Sequence, residues 1–150
     1  MEKPTGTQQS EAGMSRSYVV TGGSRGIGRA VVGDAADEKV TERAADLAMA
    51  SGTLTGWVNN AAIFRDASIH SAGARTVLDL VALNLNPAVV GCATAIRRFQ
   101  ATGTPGAIVN LSSYQARQAV PGCTPYVTPK QPSRDSHGRW RLNTDRMAFA

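Results

Sequence analysis

Apolar and polar positions along the chain fall into blocks that change period. The run Tyr18-Val19-Val20 is short and apolar, and it breaks into Thr21-Gly22-Gly23-Ser24-Arg25-Gly26-Ile27-Gly28 before the helix-compatible Arg29-Ala30-Val31-Val32. This predicts a strand, a tight loop and a helix start. From Asp37 to Ala50, Val40, Ala44, Leu47 and Ala48 recur at helical spacing, with Asp37 and Glu38 at the end where the helix dipole favours negative charge. Gly56-Trp57-Val58 reads as a short strand that ends in the polar Asn59-Asn60 followed by Ala61-Ala62. Ala72 to Phe99 predicts one or two helices with a break near Asn86-Pro87, because proline removes a helix donor. Ala107-Ile108-Val109-Asn110-Leu111 predicts a third strand, which stops at Ser112-Ser113. Strands alternating with helices predict an α/β fold built on an open parallel sheet. Residues 1–16 are polar and without period, and read as a disordered leader; residues 131–150 carry proline at their second position, Pro132, have no apolar period and read as loop.

The chain has 150 residues, 42% of them hydrophobic and 18% charged, which suits one packed domain rather than a disordered or fibrous chain. The net charge is +5, of which the last twenty residues supply +2, from four Arg against Asp135 and Asp145. That leaves a diffuse excess and gives no footprint for nucleic acid. Cys92 and Cys123 stand apart with no CxxC and no His-rich neighbour, which excludes a zinc ribbon or a disulfide scaffold and predicts a reducing compartment and no metal. The polar N-terminus lacks the apolar run of a signal peptide, so the expected setting is the cytoplasm, away from membrane.

Two constellations carry candidate chemistry. A strand that feeds a helix through glycines lets backbone N–H groups approach a pyrophosphate with no side chain in the way. The spacing here, Gly22, Gly26 and Gly28, is G-x-x-x-G-x-G rather than the commoner G-x-G-x-x-G. Read alone, it fits a nucleotide cradle and an ordinary βα turn equally well. The second constellation is Tyr126-Val127-Thr128-Pro129-Lys130, with Ser113 upstream at a strand end. On a helix, a spacing of four would bring Tyr126 and Lys130 to one face. A tyrosine that works near neutral pH needs its pKa lowered by about 3 units, equivalent to about 4 kcal/mol, and a neighbouring ammonium in a dry pocket supplies part of it. In isolation the pair is better read as a buried tyrosine beside a solvated lysine.

Taken together, TGGSRGIG at 21–28, NNAA at 59–62, Asn84 in the long helical region, IVNLSS at 108–113 and YVTPK at 126–130 resemble, in order, the motifs of the classical short-chain dehydrogenase/reductase family. The resemblance covers about residues 17–130. It implies a Rossmann-like, doubly wound parallel sheet and an NAD(P)-dependent oxidoreductase that interconverts a secondary alcohol and a carbonyl. It implies that Tyr126 is the general acid and base, that Lys130 binds the nicotinamide ribose and lowers the tyrosine pKa, that Ser113 holds the substrate oxygen, and that Asn84 holds a relay water. Gly22, Arg25, Gly26, Ile27 and Gly28 would line the pyrophosphate, Asn59 and Ala61 would flank the riboses, and Asp34 would contact adenine. A side chain such as Asn59 or Asn60 can equally tie the sheet end together, and Asp34 more simply caps the following helix.

The chain departs from the family pattern in two places. Between Gly28 and Asn59 there is room for about one βαβ unit, so the strand that chooses between NAD and NADP is expected to be missing and the sheet incomplete. Arg25 leans toward NADP. After Lys130 the family continues with a helix, whereas this chain reads QPSRDSHGRWRLNTDRMAFA. Suitable codons for that tail, read one base out of frame, give AAVEGLTRALALEYGPHGIR, which resembles the missing helix, so the tail is expected to be a frameshift product or truncation. Three strands would then leave both sheet edges unpaired, which invites aggregation, and the apolar helical region 72–99 would lose the neighbour that the family uses for its subunit interface, which tells against the family's homo-oligomer. Pro129 and Pro132 also disturb the helix that would align Tyr126 with Lys130. The rival expectation is an inactive remnant of the family with at most weak nucleotide binding.

Overall fold

A computed structural model of the chain describes residues 15–23, 30–116, 121–130 and 139–141. Strand β1 (Arg16–Val20), helix α1 (Glu38–Met49), strand β2 (Thr53–Asn59), helix α2 (Ile69–Thr102), strand β3 (Ala107–Asn110), helix α3 (Thr124–Val127) and strand β4 (Arg139–Arg141) follow in order, with 3-10 turns at Tyr114–Ala116 and Thr128–Lys130. Strands β1, β2 and β3 are parallel neighbours, and β4 adds antiparallel to β3.

The alternation of side chains along a strand decides which face is buried. Val19, Trp57 and Ile108 are partners across the three parallel strands, and all three are buried. Ala45 of α1 and Ala95 and Phe99 of α2 complete the same core, so both long helices lie on one face of the sheet. Full burial of Trp57 and Phe99 contributes about 2–3 kcal/mol each. The opposite face carries Tyr18, Val20 and Val109, all exposed. There the Tyr18 ring lies where a Cβ on Gly56 would stand, 2.5 Å from its nearest atom. This is an incomplete Rossmann-like sheet, in which the long helices of the described residues cover one side.

Helix α1 begins where Asp37 caps it, accepting from the Lys39 N–H at 2.8 Å. It is locked to α2 by a buried Thr41–Thr94 hydroxyl pair at 2.9 Å and by an arginine clamp. Arg97 donates to Glu42 at 2.8 Å, and Arg98 reaches Glu42 through Nε at 2.6 Å and Asp46 at 2.7 Å. Burial would raise the Glu42 pKa, but the hydrogen bonds from Arg97 and Arg98 outweigh it and hold the carboxyl below its ordinary value.

Two sequence expectations change. Helix α2 does not break at Asn86-Pro87; the interruption in its dihedrals falls at Gly73, with φ 72°. Pro87 forfeits a single donor, toward the Leu83 carbonyl, while its ring is buried and the helix is anchored on both sides, by Val77 and Leu80 before it and by Gly91, Ala95 and Phe99 after it. The 18-residue window with mean hydropathy 1.5 makes α2 long and apolar enough to span a bilayer, but those anchors are packed into the fold. The tail, expected as loop, contributes β4, whose Arg141, Trp140 and Arg139 pair with Ala107, Ile108 and Val109. The edge of β3 is therefore paired rather than open. The expected leader falls, except for its last two residues, outside the described residues.

Candidate active site

Because the three strands are parallel, the residues just after each of them share one edge of the sheet, where α/β folds build their sites. The ladder continues a step past the strands: the Thr21 N–H donates to the Val58 carbonyl and the Leu111 N–H to the Asn59 carbonyl, both at 3.0 Å. This brings together the turn at Thr21-Gly22, the Asn60-Ala61 pair and the Leu111-Ser112-Ser113 segment.

Thr21 is the hub of that edge. Its hydroxyl accepts from the Asn60 N–H at 3.0 Å and from the Ala61 N–H at 3.1 Å, and its carbonyl accepts from the Asn60 side-chain amide at 3.1 Å. Gly22 follows with φ +73°, and a Cβ there would stand 2.8 Å from the Ala61 Cα. Only glycine fits that approach. Among the described residues a Cβ at Gly23 would meet the Val20 carbonyl at 3.7 Å, an ordinary contact. Gly22 and Gly23 line a cavity of about 560 Å³ beside β1, which Ala30, Val31, Val32, Gly33 and α1 also border. The expected pyrophosphate contacts Arg25, Gly26, Ile27 and Gly28 lie outside the described residues.

Asn59 does not point into that cavity. Its Oδ1 accepts from Trp57 Nε1 at 2.8 Å, and its Nδ2 donates to Asn110 Oδ1 at 2.8 Å and to the Ala88 carbonyl at 3.3 Å. The tie between sheet and α2 occupies the whole amide. Ala61 gives its N–H to Thr21. Asp34 is exposed and accepts from the Ala36 N–H at 2.9 Å, while its carbonyl accepts from the Asp37 N–H. It shapes the turn before α1, and the capping falls to Asp37, not to Asp34.

On the other side of the edge, helix α3 carries Tyr126 and the 3-10 turn after it carries Lys130. The backbone thus tightens between them instead of continuing as one α-helix. Pro129 is consistent with that change, since it brings no N–H. Lys130 Nζ donates to the Leu111 carbonyl at 2.7 Å, and its own carbonyl accepts from the Ser112 hydroxyl, which ties the segment to the end of β3. Burial pushes the Lys130 ammonium below its ordinary pKa. Ser113 accepts from the Gln115 N–H at 3.3 Å, and among the described residues no hydrogen bond joins Ser113, Tyr126 and Lys130 to one another. The Tyr126 ring meets Phe64 edge-on, with centroids 5.3 Å apart. Asn84, buried in α2, accepts from the Ile63 N–H at 2.8 Å and donates to the Leu80 carbonyl at 3.1 Å, so both ends of its amide are engaged by the protein.

Sequence reasoning left Thr21, Ser112 and Phe64 out of the site. Thr21 and Ser112 each follow a strand within a motif, a position that marks hydroxyls as edge fasteners. Nothing in the pattern around Phe64 announces its contact with Tyr126.

The short chain dehydrogenase family model matches residues 30–134. The chain belongs to the short-chain dehydrogenase family. Among solved structures it is similar to a gluconate 5-dehydrogenase from Burkholderia cenocepacia J2315, solved with NADP and tartrate, at 30% identity and a TM-score of 0.56 over 67% of this chain and 39% of that one. It shares its fold with a short chain dehydrogenase from Mycobacterium avium, at 24% identity and a TM-score of 0.57 over 65% of this chain and 35% of that one. The chain therefore spans well under half the length of these two structures. A search of curated proteins finds no relative.

Proposed function

We propose that this chain serves an NAD(P)-dependent oxidoreductase that interconverts a secondary alcohol and a carbonyl compound. The observation that carries the reading is the shared sheet edge. There, in a chain of this family, the glycine turn after β1 is tied to the Asn60-Ala61 pair after β2, and Lys130 is held on the Leu111 carbonyl just after β3. The cavity that Gly22 and Gly23 border suits a nucleotide backbone. Gly22, Arg25, Gly26, Ile27 and Gly28 would hold the dinucleotide, with Ala61 beside it, and when bound it supplies the hydride. NADP is the first cofactor to test, given Arg25 and the NADP in the solved relative.

Tyr126 gives a proton to the carbonyl oxygen during reduction and takes it back during oxidation, at its phenolic oxygen. Ser113 donates a hydrogen bond to that oxygen and orients it. Lys130 contributes positive charge that favours the phenolate once it leaves the Leu111 carbonyl. Asn59 acts on the site only by holding the sheet end, and the engaged Asn84 amide argues for a structural part there too.

The contact of Lys130 with Leu111 supports a second reading, in which the chain keeps nucleotide affinity without turnover. Cofactor-dependent absorbance change with a panel of secondary alcohols and ketones separates the two. Turnover that Tyr126→Phe abolishes is the expected result; nucleotide binding without turnover selects the second reading, and neither binding nor turnover defeats both.

A further inference from the structure

The loop between β2 and α2 is fastened on either side of its approach to the tyrosine. The Ile63 N–H donates to Asn84 Oδ1 at 2.8 Å, and the Ala67 N–H donates to the Gly122 carbonyl at 2.9 Å, just ahead of α3. Between these two ties stands Phe64. Its ring meets the Tyr126 ring at 71° with centroids 5.3 Å apart, yet 53% of the residue remains exposed, and Ile63 beside it is 41% exposed. An aromatic ring that packs edge-on against the proposed acid and base and is still half exposed offers apolar surface beside the Tyr126 ring.

We propose that Phe64 is a specificity-determining residue whose open ring surface takes a flat apolar substituent, an aryl group above all, of the carbonyl compound that Tyr126 protonates. This rests on the reading of Tyr126 as acid and base. Aryl groups gain from both apolar burial and edge or face contact with the ring. A polyhydroxylated substituent would set its hydroxyls against the apolar face of the Phe64 ring, and would be disfavoured.

The test compares the full chain with Phe64→Ala and Phe64→Tyr, in the presence of NADPH, on acetophenone and acetone. Phe64→Ala is expected to lower kcat/KM for acetophenone about tenfold more than for acetone, chiefly through KM, while Phe64→Tyr keeps the wild-type ratio of the two ketones. An equal loss on both ketones, as a merely structural prop for Tyr126 would give, overturns the proposal. Saturation-transfer NMR of acetophenone in the presence of NADP supplies a readout that needs no turnover. If the wild type does not turn over, loss of saturation transfer in Phe64→Ala upholds the aryl site while the oxidoreductase reading fails. Saturation transfer that is absent, or unchanged by Phe64→Ala, overturns the aryl site.

Discussion

Replacing Asn59 by leucine strips the partners from two polar groups at the sheet end. The Trp57 indole N–H, in a fully buried residue, loses its acceptor, and the half-buried Asn110 Oδ1 loses the Nδ2 donor at 2.8 Å. A buried polar group left without a partner costs about 1–3 kcal/mol. Counting the indole at about 2 kcal/mol and the amide oxygen, which also receives a thiol contact from Cys92, at about 1, the loss is about 3 kcal/mol. Against a total of about 5–10 kcal/mol, this would move the urea midpoint down by about 2 M at a slope of about 1.5 kcal/mol per M. Asn59→Asp is the sharper probe, because it keeps the acceptor for Trp57 and turns the donor into an oxygen facing the Asn110 oxygen and the Ala88 carbonyl. The buried carboxyl would have its pKa raised on folding, so the folded state binds the proton more tightly and stability returns as pH falls through that range. Urea melts followed by circular dichroism across pH check both variants. A leucine variant within about 0.5 kcal/mol of wild type, or an aspartate variant whose stability tracks wild type at every pH, would refute the reasoning.

Gly22→Ala should cost upward of about 1 kcal/mol, since it combines positive φ with a Cβ 2.8 Å from the Ala61 Cα, and thermal melts against Gly23→Ala, whose Cβ meets the Val20 carbonyl at an ordinary 3.7 Å, isolate the effect. Glu42→Gln should cost about 1 kcal/mol at neutral pH and low salt. Because Glu42 is held below its ordinary pKa, that difference should be present above the unfolded carboxyl range and vanish as pH falls through the folded value, as paired urea melts would show. Lys130→Met should remove a pH dependence at the alkaline end. Burial lowers the folded lysine pKa, so the wild type gains stability as pH rises from that value toward the unfolded one, and the variant does not; alkaline melts of the two proteins decide it.

The fold was legible where the sequence has a repeating pattern. Tyr18-Val19-Val20 and Ala107 to Asn110 formed strands, and Asp37 to Ala50 formed a capped helix, because burial on one face imposes a period and the caps follow fixed chemistry. Pro87 misled because the rule it obeys concerns one donor, whereas packing along α2 is set by residues several turns away. β4 was illegible because three residues are too few for a period and the pairing came from the free edge of β3, far off in sequence. In the site, the motifs marked the turn after β1 and the pair after β2, which Thr21 joins by hydrogen bonds. The direction of each side chain was not readable: Asn59 turns inward to Trp57, and Lys130 settles on the Leu111 carbonyl, through partners distant in the chain.

The most direct test of the cofactor edge is a fluorescence titration of NADPH with the wild-type chain and with Arg25→Glu, whose side chain would set a negative charge at the expected pyrophosphate contact. Saturable binding by the wild type, at least tenfold weaker in the variant although both melt alike, is the predicted result. Wild-type chain that leaves NADPH fluorescence unchanged at every concentration, while its circular dichroism reports a folded sheet and helices, would contradict the account.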